Sequence, residues 1–425
     1  MDRAVQRRYV GLTAAVAVLG MTAALSGCGA DGGSGEVTLK LVAADYGTSE
    51  ANKSDTYWDG IARGFEASHP GIKVDVTVLP WTDIDREVAK MVKDGKAPDI
   101  AQIGAYADYA KAGKLYSADE MLSIPTQANF LPKLIDAGQV NRIQYGLPFA
   151  ASTRLLFFNK KLFSQAGLDA PKTWSDIAAD AAALKQRGVS YPLALPLGPE
   201  ESQAETLMWM LSGGGGYTDE VGSYDIASDE NAKTFDWLKT NLVDKGLVGP
   251  VAPGKLNRAK AFEEFSKGKV GMLNGHPTLM DEAQKQGVEV GMVPLPGEHG
   301  PTTGSMGVAD WIMGFKQNDH RAEIGTFFDF LFTDKNVIEF ADMYDMLPVT
   351  GSASAAMEDD AAYKPLHQFL AALPESEFYP FGKTSWAAAS ESIKENIGKA
   401  VQPGANPESV LDRISRDATQ AEAAE

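Results

Sequence analysis

The chain has 425 residues, 44% hydrophobic and 23% charged, with 57 acidic against 39 basic side chains and a formal net charge of −18. That much apolar sequence excludes disorder for the bulk of the chain. The length exceeds what one hydrophobic core usually fills, so two domains are expected, and an acidic body repels phosphate backbones, so no nucleic-acid partner is expected.

The N-terminal segment combines Arg3, Arg7 and Arg8 with an uncharged stretch from Tyr9 to Ala30. A basic start followed by an apolar run is a secretory signal pattern. Its end, Leu25-Ser26-Gly27-Cys28, resembles the bacterial lipobox. That resemblance implies cleavage after residue 27, lipidation of Cys28 and anchoring to the outer face of the cell membrane. A transmembrane anchor is the competing reading of the same run. It is rich in Ala, Gly and Thr rather than Leu, which favours the signal. Cys28 is the sole cysteine, so no internal disulfide and no cysteine-built metal site is available. Loss of Asp2, Arg3, Arg7 and Arg8 with residues 1–27 would take the net charge from −18 to −20. Residues 28–35, ending in Asp31-Gly32-Gly33-Ser34-Gly35, read as the lipidated cysteine and a flexible tether.

Next, Val37 to Val42 alternates as a strand does. Trp58, Ile61 and Phe65 fall at helical spacing, and His69-Pro70-Gly71 should stop that helix. Val74, Val76 and Val78 predict a second strand, Thr82-Asp83-Ile84-Asp85 a capping box, and Pro98 to Ile103 a short third strand leading to a helix toward Tyr109. This βαβαβ rhythm predicts an α/β fold with a largely parallel sheet. Beyond Pro148 come a strand at Leu155–Phe158 and an Ala-rich helix capped by Thr173-Trp174-Ser175-Asp176 and running to Arg187. A strand at Leu193–Leu195 precedes helices near Glu201–Ser212, Glu230–Lys245 and Asn257–Lys267. Strands at Val270–Leu273, Val288–Val293 and Trp311–Phe315 and a helix from about His320 follow. The polar, alanine-rich tail Ala418–Glu425 reads as frayed. Trp58, Trp174 and Trp237 fall at apolar helical positions and read as core, whereas Trp81, at a strand end, leaves cleft and packing open.

Catalytic patterns are missing. The five histidines show no i, i+4 zinc pairing, and no G-x-S-x-G elbow occurs. Gly382-Lys383-Thr384 lacks the first glycine of a P-loop, and Gly213–Gly216 reads as a turn ending a helix. Asp83/Asp85 and Glu263/Glu264 are close in sequence, but adjacent acids on helices are mostly solvated. A two-carboxylate glycoside hydrolase stays open as the alternative without a positive signal.

Five segments in order carry a resemblance. Ala97-Pro98-Asp99-Ile100 is followed by Tyr109 to Leu115. Tyr145-Gly146-Leu147-Pro148-Phe149 is followed by Leu155 to Phe163, then by Ala166-Gly167-Leu168 and Pro171-Lys172-Thr173-Trp174. Ala261-Phe262 precedes Gly268 to Met272, and Val293-Pro294-Leu295-Pro296 closes the series. Together they resemble the extracytoplasmic solute-binding proteins of carbohydrate ABC importers, the maltose-binding-protein-like group. Phe158 departs from the group's usual tyrosine, and His276 from its usual aromatic residue. The resemblance implies a two-lobe periplasmic-binding-protein-like (type II) fold with hinge crossings. Lobe one would be 36–148 plus 306–346 and lobe two 149–305 plus 347–425. It implies a sugar held between the lobes by a monomer and passed to permease subunits, with no enzymatic step, no cofactor and no metal.

Hydroxyls suit carboxylates and amides, and sugar C–H patches suit aromatic faces. Candidates therefore lie just after strands or at the crossings. Asp45 and Tyr46 follow the first strand and Tyr106 the third. Ser152 and Thr153, beside Arg154, lie at the first crossing and Asp310 and Trp311 at the second. His276 follows the strand near Met272, and Gln203 and Glu205 precede the glycine run with Trp209. Trp386 stands in the last segment, near where several relatives place a stacking tryptophan. Trp311 also reads as core. Acid and aromatic residues would suit a polyamine as well, so a non-sugar solute is a further alternative.

Overall fold

The computed structural model describes residues 36–47, 49, 52–302 and 304–424. The expected signal peptide, Cys28 and the tether to Gly35 lie outside the described residues. Among the described residues, no helix is long and apolar enough to cross a membrane.

The strands are β1 (Val37–Ala44), β2 (Ile72–Leu79), β3 (Ile100–Gln102), β4 (Gln139–Val140), β5 (Ile143–Gln144), β6 (Leu147–Thr153), β7 (Leu155–Asn159), β8 (Tyr191–Leu193), β9 (Val270–Gly275), β10 (Val290–Val293), β11 (Ser305–Gly314) and β12 (Ser376–Glu377). One sheet runs β12-β11-β3-β1-β2, with β6 also paired to β11; a second runs β10-β7-β9-β8; β4 and β5 form a small pair. The expected parallel sheet is found only in part. β1 is parallel to both β2 and β3, but β11 is antiparallel to β3 and β6. In the second sheet only β8 and β9 are parallel. Local βαβ units produce the parallel pairs of β1 with β2 and β3, whereas strands returning from far along the chain pair either way, β11 antiparallel to β3 and β6 but parallel to β12, and β9 parallel to β8.

Local chemistry explains most elements. In β1 the burial alternates around Leu39 and then becomes continuous from Leu41 to Ala44, as expected where a sheet becomes covered on both faces. The helix Ser54–Ser68 buries Tyr57, Trp58, Ile61 and Phe65, and Gly71, at φ +104°, takes the left-handed turn that a side chain would strain. Thr173 caps the helix Trp174–Gln186 by accepting the Asp176 N–H at 3.1 Å. Trp174 packs on Trp237 and Trp209 with ring centroids 4.8 and 6.3 Å away. The glycine run does end a helix: Gly213 closes Ser202–Ser212, and a Cβ there would lie 1.9 Å from the Thr234 hydroxyl.

Several expectations are corrected. The helix Ile84–Lys93 has no capping box. Asp83 instead accepts from Arg86 at 2.7 Å, and Asp85 accepts the N–H groups of Gly104 and Ala105 at 3.0 and 3.3 Å. The loop after β3 thus competes successfully for the carboxylate. The short strand comes earlier, at Tyr191–Leu193, and β11 starts six residues before Trp311 because it pairs with β6. The segment near 230–245 divides into Asp229–Trp237 and a π-helical turn Leu238–Val243. The tail is not frayed up to Ala423. The helix Pro407–Ala423 buries Leu411, Ile414 and Ala418, a helical spacing that the alanine-rich composition obscured.

The chain passes between the sheets with Arg154 alone separating β6 from β7. Thr153, fully buried, donates to the Met306 carbonyl at 2.9 Å. Its oxygen lies 3.2 Å from the Ser305 hydroxyl and 3.1 Å from that of Ser376. Thr153 therefore stands where three segments meet, bonded to the Met306 carbonyl and in contact with the two serine hydroxyls.

Candidate functional site

The candidates separate into three groups. The first lies against the first sheet. Gln102 accepts the Ala44 N–H at 3.0 Å and donates to the Tyr46 hydroxyl, which donates to Asp310 at 2.9 Å. Rings surround Tyr46: Trp81 and Phe340 meet it edge-on with centroids 5.4 and 4.9 Å away. Burial pushes the Asp310 carboxyl up to about 6, against the lowering effect of the Tyr46 bond. Asp45 is committed locally, accepting the Gly47 N–H at 2.8 Å and the Ser54 N–H at 3.4 Å. Ser152 lies half-buried in the ladder opposite Val308.

The second group is a file of rings. Tyr106 packs against Trp311 (6.0 Å), Trp311 against Phe381 (5.6 Å), Phe381 against Tyr379 (5.5 Å) and Tyr379 stacks on Trp386 (5.1 Å, 25°). Tyr106 and Trp311 are buried to 0% and 1% exposure. Gly146 and Gly138 lie so close that a Cβ would come within 2.7 and 2.9 Å of those rings. Both rings are therefore tightly packed, Trp311 apart from the cavity that Trp386 borders and Tyr106 with an edge on it. Trp386, with Phe381 and Tyr106, lines this cavity of about 300 Å³. One wall holds Asp85, Gly104, Ala105 and Asp108, at the carboxyl ends of β2 and β3. The other holds Phe381, Lys383, Thr384, Trp386, Ser390 and Lys394. Carboxyl ends of strands are where open α/β sheets bind ligands, and the volume suits a small solute.

The third group is a polar pit in the second half. Arg154 pairs with Glu201 at 2.6 Å, and Glu201 also holds Arg258. Glu205 accepts from Trp209 Nε1 at 2.8 Å and from Asn274 Nδ2 at 2.9 Å. Burial pushes Glu205 up to about 7, with those two bonds and Arg154 acting against it. His276, edge-on to Phe262, is driven well below its usual range by burial and then by Arg154 and Arg258. Arg154, Glu201, Glu205, Arg258 and Asn274 border a cavity of about 10 Å³, room for about one water. Gln203 uses its carbonyl to accept the Tyr217 hydroxyl at 2.6 Å, while its Oε1 is buried without a partner. The Tyr379 hydroxyl feels the charges of Glu201 and Arg154, which links pit and aromatic wall.

The sequence reasoning missed Glu201, Arg258, Phe381, Tyr379 and Asp85 as site residues. A signal was present for Tyr379 and Phe381, two rings flanking Pro380 just ahead of Trp386. A larger depression of about 900 Å³ lies along Asn159–Gln165 and Gln286–Glu289, but it gathers none of the candidate rings or buried acids.

Residues 48–338 match the family described as bacterial extracellular solute-binding protein. A binding protein of Brucella abortus (strain 2308) is 26% identical over 386 residues, covering 88% of this chain and 89% of its own. The sn-glycerol-3-phosphate-binding periplasmic protein UgpB of Escherichia coli (strain K12) is 24% identical, covering 77% and 81%. Among solved structures, the cyclic α-maltosyl-1,6-maltose binding protein of Arthrobacter globiformis superposes with a TM-score of 0.77 at 18% identity, covering 92% of this chain and all of its own. The fold is thus the two-lobe α/β fold of such binding proteins.

Proposed function

Because the chain belongs to the bacterial extracellular solute-binding proteins, we propose that it holds an uncharged saccharide in the cavity between the Asp85–Asp108 and Phe381–Lys394 walls and delivers it, unaltered, to the permease of an ABC importer. The observation that carries the reading is Trp386. With Tyr106 and Phe381 it lines the cavity, and it is the lining ring on which Tyr379 stacks; the Tyr379 hydroxyl in turn feels the charges of Glu201 and Arg154 in the polar pit. A ring face offers a sugar's C–H patch a large contact at little rotamer cost, and the pit offers its hydroxyls charged partners. The Arthrobacter globiformis protein, named for a maltose-based oligosaccharide, adds weight to a sugar. Lys383 and Lys394 on the second wall balance Asp85 and Asp108 on the first, so the lining has no net negative charge to favour a polyamine.

In this reading 36–148 plus 306–346 form one lobe and 149–305 plus 347–425 the other. Gly351–Asp359 rides near the boundary, since Ser352 bonds both Asn129 and Asp334. Ligand favours the closed arrangement through its extra contacts there. Cys28 carries acyl chains that anchor a monomer to the outer face of the cell membrane, and two chains suffice for stable attachment. Candidate ligand contacts are Trp386, Glu205, Gln203 and His276, with Asp85 and Thr384 on the rim.

Native mass spectrometry of freshly purified protein, followed by calorimetry with maltose, longer maltooligosaccharides and putrescine, tests this reading. An intact sugar bound one to one, with no change in its mass after long incubation, is the expected result. Binding of putrescine alone, weakened by salt, would replace the saccharide with a cation, and release of shortened sugar would replace binding with hydrolysis.

A further inference from the structure

The polar pit also bears on whether an anionic ligand is admitted, a question sharpened by a relative named for sn-glycerol 3-phosphate. Two guanidiniums side by side are a ready phosphate or carboxylate site. Here both are engaged. Glu201 Oε1 takes Arg154 Nη2 at 2.6 Å, and its other oxygen takes Arg258 Nε. Glu200 takes Arg258 Nη2 at 3.2 Å, and Glu205 is a third carboxyl on the same cavity. The Arg154 side chain is 7% exposed, so it cannot stay unpaired at low cost.

What remains open is of another kind. Arg154 Nε is a buried donor without an acceptor, and Asn274 Oδ1 is a buried acceptor without a donor. Buried polar atoms left unpaired in one place point to a group that arrives from outside. A hydroxyl both accepts and donates, whereas a phosphate or carboxylate oxygen only accepts. The 10 Å³ cavity fits one such group.

We infer that Glu201 is a specificity-determining residue: by occupying both guanidiniums it makes the pit a reader of a single hydroxyl and closes it to anionic ligands. The inference rests on the saccharide reading for the hydroxyl, while the exclusion of anions stands on the ion pairs alone.

Calorimetry with inorganic phosphate and with sn-glycerol 3-phosphate tests it on the wild-type chain, Glu201→Gln, and Glu201→Gln combined with Arg154→Met. The wild type should show no binding at millimolar concentration. Glu201→Gln should gain at least about tenfold in affinity, consistent with a freed charge-assisted pair, and Arg154→Met should abolish that gain. Should Glu201→Gln not fold, Glu201→Asp, whose shorter arm cannot span both guanidiniums, should show a smaller gain of about threefold. Wild-type binding of either phosphate as tight as the variant's overturns the inference. So does a folded Glu201→Gln, judged by its melting transition, that gains nothing. Failure of every neutral saccharide to bind the wild type would sink the saccharide reading separately and leave the phosphate arms to decide on Glu201.

Discussion

Each half of the molecule buries a polar knot, and the two knots are built differently. In the first, Gln102, Tyr46 and Asp310 pass hydrogen bonds in one direction, from amide to phenol to carboxylate, inside a ring of aromatic side chains. In the second, Arg154, Glu201, Arg258, Glu205 and Asn274 share charges across a small cavity and leave a donor and an acceptor unused. A saturated network rigidifies the fold around it. An unsaturated one is costly unless something completes it. On the proposed reading, the contrast separates candidates that hold the structure from candidates that would meet a ligand, although all of them looked alike in the sequence.

The strongest way to break this contrast is to remove the largest of the rings that border the cavity. Trp386→Ala should cost about 3 kcal/mol of saccharide binding, roughly a hundredfold in Kd, as central aromatic anchors do. Titration of a saccharide retained by the wild type measures it, with a melting curve to show that the variant folds. An unchanged Kd would move the ligand away from the 300 Å³ cavity.

The second test uses pH. The fold prefers Glu205 protonated, since burial raises it from an ordinary 4.5 to about 7. Its contribution is therefore fully present below pH 4.5 and lost as pH rises to about 7. Glu205→Gln keeps an acceptor for Trp209 and Asn274 and cannot ionise. At pH 8 it should be more stable than the wild type by up to roughly 3 kcal/mol, and near pH 4.5 the two should converge. Asp310 adds a pH dependence of the same sign in both proteins. His276, held neutral by burial and two arginines, acts in the opposite sense, costing stability as pH falls below about 6.5. Urea denaturation at pH 4.5, 6 and 8 measures the difference, and parallel curves at all three would mean that Glu205 is ionised in the fold.

Legibility in the sequence followed the range of the interaction. Thr173 and Trp174 announce a helix because cap and first turn are neighbours, and Val74, Val76 and Val78 announce a strand because its period is two. The family resemblance points to Trp386 as a candidate and not to Tyr379, because only position in three dimensions makes the second ring the support of the first. Tyr46 and Asp310 were both singled out, yet their bond spans 264 positions and nothing local says that they satisfy each other. Glu201 was passed over for the same reason. Its partners Arg154 and Arg258 stand on either side of it in sequence, far outside one helix turn.

Two smaller effects sharpen the contrast from the structural side. Tyr46→Phe deletes the donor to Asp310 without a cavity and should lower stability by about 1.5 kcal/mol. Saccharide affinity should stay within about a factor of two to three, the usual coupling between sites that share no partner. A larger loss of affinity would return the first knot to the ligand site.

The smallest effect concerns the threonine between the halves. Thr153→Val conserves shape and removes one hydroxyl from a fully buried position. The Met306 carbonyl then loses the side-chain donor it had at 2.9 Å. Ser305 and Ser376 keep their own acceptors, the Arg154 and Ala372 carbonyls, each at 2.9 Å. The expected cost is therefore about 1 kcal/mol, one net hydrogen bond rather than three. Because Ser376 donates outward to Ala372, Ser376→Ala should remove a bond that Thr153 does not depend on. The double variant should then be additive within about 0.5 kcal/mol. Strong coupling in that cycle, measured by urea denaturation, would instead show that the three crossing segments stand or fall as one unit.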